Sequence, residues 1–385
     1  MWNIRTPAQT AAIFDRHFSE YGKAFDLVAS DNPLRVEANM ARRIAATYWP
    51  PQFATSMGFN FDCVVYHSYE PNAFAAYRDG EHWTGISTSL VYVLAELAVR
   101  MAAVFPIGDP DDPPLALIGA DGAGFRFKHA DFAHPKEDAA RFFRQAHAFG
   151  PLRRRLLNVL WLDSQVLVWR HELFHATLGH TRFLQSHFGI GSLTEAPRNG
   201  TTVTDGDVSR MLRALEFHAD WAAFGSVLKM ATSNHDAAGS DLRKRLGDRW
   251  RAASMIASVI MLPAFFGAAE ERGAPAGIDH PSAAARLSIF LSRIGELSDP
   301  ALRDEWRRGS GIALRVFDEL SRQHPDFAQF GMMLSEESLS AADVERIACI
   351  DDFDSLQNEL VPFAALPLGH PHQGGVDPLP GDDAD

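Results

Sequence analysis

Through residues 6–48, apolar positions recur at three- and four-residue steps, the period of a helix with one buried face. The pattern then changes. Cys63–Ser68, "CVVYHS", is β-branched and aromatic, and it leads through "EPNAFAAYRDGEHWTG" into "ISTSLVYVLAELAVRMAAVF". This reads as strand, tight connection, strand and helix. From Pro106 to Pro135 glycine, proline and aspartate dominate, which predicts a long surface excursion or lid. Helical pattern resumes near Pro135 and again at Pro151, a residue tolerated in a first helical turn. The second of these helices, "LRRRLLNVLWLDSQVLVWRHELFHATLG", has Gly179 as its stop. A polar loop, "GIGSLTEAPRNGTTVTDGD", separates it from another long helix, Asp207 to Ala231. Further helical stretches cover 240–269, 281–296 and 300–322. From Leu366 onward the chain is rich in Pro, Gly and Asp and is expected to be disordered.

Composition narrows the function classes. The most apolar stretch, Ser254–Ala269, is interrupted by Pro263 and is shorter than the roughly 20 residues a spanning helix needs. It predicts a buried core helix. The first residues, "MWNIRTPAQTAAIFDRHFSE", show no apolar core of a signal peptide, so the expectation is a soluble, cytoplasmic protein without membrane insertion. A formal charge of −13 over 385 residues argues against a nucleic-acid or anionic-membrane partner. Arg153-Arg154-Arg155 is short and isolated, and a solvated helix start explains it as well as a binding patch does. With only Cys63 and Cys349 there are too few thiols for a disulfide framework or a thiolate zinc site. Histidine and carboxylate must hold any transition metal.

Such residues occur in "WRHELFHATLGH", Trp169–His180. His171 and His175 are four apart and share a helix face, and Glu172 stands beside them, placed to act on water at the metal. An ordinary helix bearing histidines by chance is the alternative. A hydrolytic zinc site needs three protein ligands and an open position. His180 is the nearest candidate, but on a continuing helix it would lie on the side opposite His171. The better third ligand lies in "RALEFHADWAAF". There Glu216 and Asp220 share a face with Leu212, Leu215, Ala219 and Ala223. Two carboxylates on a buried face are costly unless paired or bound to metal. Glu216 is therefore the expected ligand, with Asp220 orienting a ligating imidazole; an exposed pair near Arg213 is the alternative. His218 faces away from both and is expected to be a bystander.

An H-E-x-x-H helix followed by Glu216-x-x-Ala219-Asp220 resembles the gluzincin metallopeptidases related to the HtpX membrane protease and the CAAX prenyl endopeptidase. "SYEPNAFAAYRDG" (Ser68–Gly80) is similar to that family's strand segment before the zinc helix, and "DHPSAAARLS" (Asp279–Ser288) to its downstream His-Pro segment followed by arginine. The resemblance spans residues 59–290; it is more distant to soluble bacterial zinc peptidases of the phage-exclusion (Lit-like) type. It implies an α+β, mainly α fold: a zincin-like domain over 51–300 with a small β-sheet and edge strand packed on a zinc-binding helix pair. Around it stand a helical region at 1–50, another at 301–365, and the tail 366–385. It further implies one Zn²⁺ per chain, a peptide or protein substrate, and Glu172 as general base. His280 would act at the developing oxyanion and Arg286 would brace the site. Asn72 and Ala73, on the edge strand, would hold the substrate by main-chain pairing. Asp279 before Pro281 also reads as a plain helix start, and the strand as a plain hairpin. The competing function is a zinc-stabilised pseudo-peptidase acting as a regulatory or binding module.

Overall fold

The computed structural model describes residues 7–25, 61–107, 146–194, 206–232, 243–244, 246–271, 280–323, 336–365 and 368. The excursion expected at 106–135 falls outside them except for its first residues, as do the tail beyond 368 and most of the expected polar loop. Among the described residues the chain is mainly helical with one five-stranded sheet, as the α+β, mainly α expectation has it. No helix among them is long and apolar enough to cross a membrane.

The sheet is built from β1 (Lys23–Ala24), β2 (Phe61–His67), β3 (Ala73–Arg78), β4 (Glu81–Ser87) and β5 (Ser192–Thr194), in the order β1-β2-β4-β3-β5. The segment read as a tight connection is itself a hairpin. Arg78 pairs with Glu81 across Asp79 and Gly80, which both take positive φ (54° and 82°), the backbone that a two-residue Asp-Gly turn favours. β2 and β4 run parallel, with Val65 opposite Ile86. Period-two alternation splits their side chains between two faces. Val64, Tyr66, Phe74, Ala76 and Trp83 face α1 (Pro7–His17), which adds Phe14, with Phe18 and Tyr21 just beyond its end. The rings interlock, Tyr21 on Phe74 at 4.2 Å and Phe18 on Trp83 at 5.3 Å. Helix therefore occupies only part of the expected run 6–48: Lys23–Ala24 is strand, and 26–60 lies outside the described residues.

The other face of the sheet carries Val65, Ala73 and Ile86 into the main core. There α2 (Thr88–Val104) and α3 (Pro151–Thr177) lie side by side. Ser87 caps α2 by accepting from the Leu90 N–H at 3.1 Å. At its far end the Arg153 guanidinium donates to the carbonyls of Ala102, Ala103 and Phe105, a cation against unsatisfied helix-end carbonyls. Arg153 is thus fully buried rather than part of a solvated helix start; only Arg154 and Arg155 of the basic run are exposed.

Past α3 come α4 (His180–Phe188), β5, α5 (Gly206–Thr232), α6 (Asp248–Glu271), α7 (Ala283–Gly295), α8 (Pro300–Gln323) and α9 (Glu336–Leu360). The apolar stretch around Pro263 is helical, and its described side chains, Ala252 to Met261, are buried. Asp163 of α3 and Arg251 of α6 form a buried ion pair, at 2.6 and 3.4 Å between their paired atoms. α8 lies close on α6 at Gly309, where a Cβ would stand 2.8 Å from the Ala253 nitrogen. Glu345 of α9 accepts from the Ser282 N–H and hydroxyl (2.8 and 2.6 Å), so α9 clasps the start of α7.

His82 of β4 faces α4, its Nδ1 3.3 Å from the Thr181 hydroxyl. Burial, with Arg182 adding, lowers its pKa to about 3. An unfolded chain takes up that proton below about pH 6.5, whereas the folded one does not until near 3. The folded state should therefore lose about 1.4 kcal/mol per pH unit through this residue as pH falls from 6.5. Denaturant titrations of His82→Gln and of the parent chain should show the variant's stability falling less steeply between pH 6 and 4.

Candidate metal centre

α3 and α5 supply the donors. The helical spacing of His171 and His175 turns both rings toward α5, and Glu216 meets them from the other side. His171 Nε2 lies 2.9 Å from His175 Nε2 and 3.0 Å from Glu216 Oε2, and His175 Nε2 lies 3.4 Å from the same oxygen. All three residues are buried, at 2% exposure or less, and they form a group that could hold a metal ion. Bond lengths of about 2.0–2.1 Å around a tetrahedral zinc put ligand atoms roughly 3.3 Å apart, so the triangle is within a few tenths of an ångström of that size.

The protonation chemistry also calls for a cation here. Asp220, one turn after Glu216, faces the His171 Nδ1 at 2.9 Å. Burial alone would raise the Asp220 carboxyl, but the Arg286 guanidinium and His171 outweigh it and hold the group below its usual range. Arg286 of α7 meets both its oxygens at 2.7 Å. An ionised carboxylate only accepts, so His171 must carry its hydrogen on Nδ1, and a neutral ring then presents a lone pair at Nε2. That lone pair points at a carboxylate oxygen and at a second imidazole nitrogen. Lone pairs at 2.9–3.0 Å repel unless a proton or a metal ion sits among them, and the donor set, two imidazoles and a carboxylate, suits zinc. For Glu216 burial again pushes upward, but His175, His280 and the close approach of the His171 and His175 rings prevail and hold its carboxyl well below the ordinary range.

Glu172 is buried next to the ligands, and its charge reaches Tyr66 of β2. Burial, then Glu172 and Glu70, push the Tyr66 phenol well above its usual value, and the hydroxyl donates to the Asn72 carbonyl at 3.3 Å. His280, just before α7, places Nε2 3.7 Å from Glu216 Oε2. The structure thus gathers His171, His175, Glu216, Asp220, Arg286 and His280 into one cluster.

The edge-strand expectation for Asn72 and Ala73 is corrected. β3 is an interior strand, paired with β4 on one side and, through Phe74–Ala76, with β5 on the other. The Asn72 N–H donates to the Ser87 hydroxyl, and its carbonyl accepts from the Ser87 N–H and from Tyr66. Its main chain is therefore spent within the fold.

His180 and His218 lie outside the group of His171, His175 and Glu216, as the sequence suggests, but close beside it. α3 stops at Thr177, and Gly179 takes φ +83°, so α4 starts with His180 turned back toward the site. His180 Nδ1 lies 3.0 Å from His175 Nδ1, and His180 Nε2 lies 3.1 Å from His218 Nδ1. Neither joins the ligand triangle, but a chain of ring contacts links both to His175. Burial, with His175 and His218 adding, keeps the His180 pKa well below the ordinary value. The signal was present in Gly179, a helix-ending glycine whose left-handed turn redirects the next residue.

Titrated with zinc against a chromophoric chelator, the metal-free chain should take up one ion. Asp220→Asn, which cannot impose the same tautomer on His171, should bind about 10–100-fold more weakly, and Glu216→Ala more weakly still. Comparison with protein-family models, with curated proteins and with solved structures finds no match, so the chemistry of this centre is read from its own residues.

Proposed function

We propose that the chain is a zinc-dependent endopeptidase of gluzincin type, which hydrolyses peptide bonds of a protein substrate. The observation that carries this reading is the convergence of His171, His175 and Glu216 with a carboxylate, Glu172, buried beside them. A purely structural zinc site is closed by its ligands and has no use for a base at that position. The resemblance of the H-E-x-x-H helix and the Glu216–Asp220 helix to the gluzincins supports the same reading.

Zinc held by His171, His175 and Glu216 would supply a Lewis acid that polarises the scissile carbonyl and lowers the pKa of water to about 7. Glu172 takes the proton from the attacking water and returns it to the leaving amine. His280, 3.7 Å from Glu216 Oε2, serves as a donor to the carbonyl oxygen as that atom gains negative charge. Asp220, clamped by Arg286, keeps His171 in the tautomer that offers Nε2. Main-chain pairing with a peptide falls to β5, the outer strand on this side of the sheet among the described residues, rather than to Asn72 or the interior strand that begins at Ala73.

Glu172→Gln removes the base and keeps the shape. The variant should retain one zinc per chain by elemental analysis while hydrolysis of a denatured protein or peptide library falls about 10²–10⁴-fold. Full hydrolysis by a zinc-loaded variant would end this mechanism, and a wild-type chain that holds zinc but cleaves nothing would favour the pseudo-peptidase.

A further inference from the structure

We infer that His180 and His218 are positioning residues of the metal centre: His180 fixes the ring and tautomer of His175, and His218 fixes His180. The inference rests on the reading of His171, His175 and Glu216 as a metal site and extends it to how the second imidazole is held.

The two ligating rings have different supports. His171 Nδ1 faces the charged Asp220 at 2.9 Å, whereas His175 Nδ1 faces the His180 ring nitrogen at 3.0 Å. If Nε2 of His175 serves the metal, its hydrogen sits on Nδ1 and points at His180 Nδ1, which must accept. His180 then carries its hydrogen on Nε2 and donates across 3.1 Å to His218 Nδ1, so His218 also carries its hydrogen on Nε2. The metal thereby sets a single direction of donation through three rings. A neutral acceptor satisfies His175 without adding a fourth buried carboxylate to Glu172, Glu216 and Asp220, which would cost desolvation in a site already rich in negative charge.

The surroundings hold the rings in this order. His180 and His218 are both 0% exposed. The Phe353 ring of α9 lies 3.9 Å from the His218 ring, and Trp221 stacks near it. A Cβ on Gly179 would stand 2.5 Å from the Phe363 backbone, so the turn that presents His180 is pressed against the segment after α9. These contacts keep the imidazoles from rotating to other partners.

Two measurements on the full chain test this. Long-range ¹⁵N–¹H spectra of the histidine rings in the zinc-loaded protein should show His180 and His218 with their hydrogens on Nε2. In chelator competition, His180→Phe should bind zinc about 10–100-fold more weakly than wild type, and His180→Gln, which restores an acceptor oxygen, should recover part of the loss. His218→Phe should give a smaller loss. Wild-type zinc binding with an unchanged affinity in His180→Phe, or a hydrogen on His180 Nδ1, overturns the inference and leaves the metal site standing. Failure of the wild-type chain to bind zinc overturns both. If His180→Phe does not fold, the ring spectra of the wild-type protein decide alone.

Discussion

Carboxylates buried inside a helical core must be met by cations or hydrogen-bond donors, and the arrangement of helices around α3 follows from meeting that demand. Burying Glu216 and Asp220 without compensation would cost more than the fold can supply. Asp220 is met by Arg286, which fixes α7 against α5, and by His171, which fixes α5 against α3. Glu216 faces the ring nitrogens of His171 and His175, where a cation held among the three would meet it, with His280 approaching from the chain before α7. The same logic recurs away from the site, where Asp163 and Arg251 tie α3 to α6. Apolar packing sets how closely these helices lie, and the charge pairs set which turns face each other.

The grouping of His171, His175 and Glu216 is legible in the sequence for this reason. His171, Glu172 and His175 follow helical spacing, and the cost of Glu216 and Asp220 on an apolar face flags a partner. Such arguments use only local periodicity and burial. They fail where a residue's fate depends on chain direction after a break. Continuing α3 past Gly179 points His180 away from His171, whereas the left-handed Gly179 turns it back beside His175; its exclusion from the ligand group stands, but its position does not follow from helical spacing. They fail again where pairing is distant in sequence. Nothing within "PNAFAAYR" says that Ser192–Thr194 covers the far side of β3, and the burial of Arg153 depends on carbonyls about fifty residues earlier.

The C-terminal helix shows the same division. Its helical character is visible in composition, but its role is not. α9 holds the start of α7 through Glu345 and Ser282, and Phe353 walls in His218. Just after it, the Ala365 N–H donates to the Thr177 carbonyl at 2.7 Å and so satisfies the last turn of α3. A part of the chain without a chemical motif thus supports the two helices that carry one.

That last hydrogen bond has a consequence in time as well as in space. During synthesis the ligands on α3 and α5 leave the ribosome well before residues 353–365. Until those residues follow, Thr177 lacks its cap and His218 lacks one of its walls. A nascent chain can therefore hold His171, His175 and Glu216 and still lack two of the contacts around them until α9 and the residues just after it have been made.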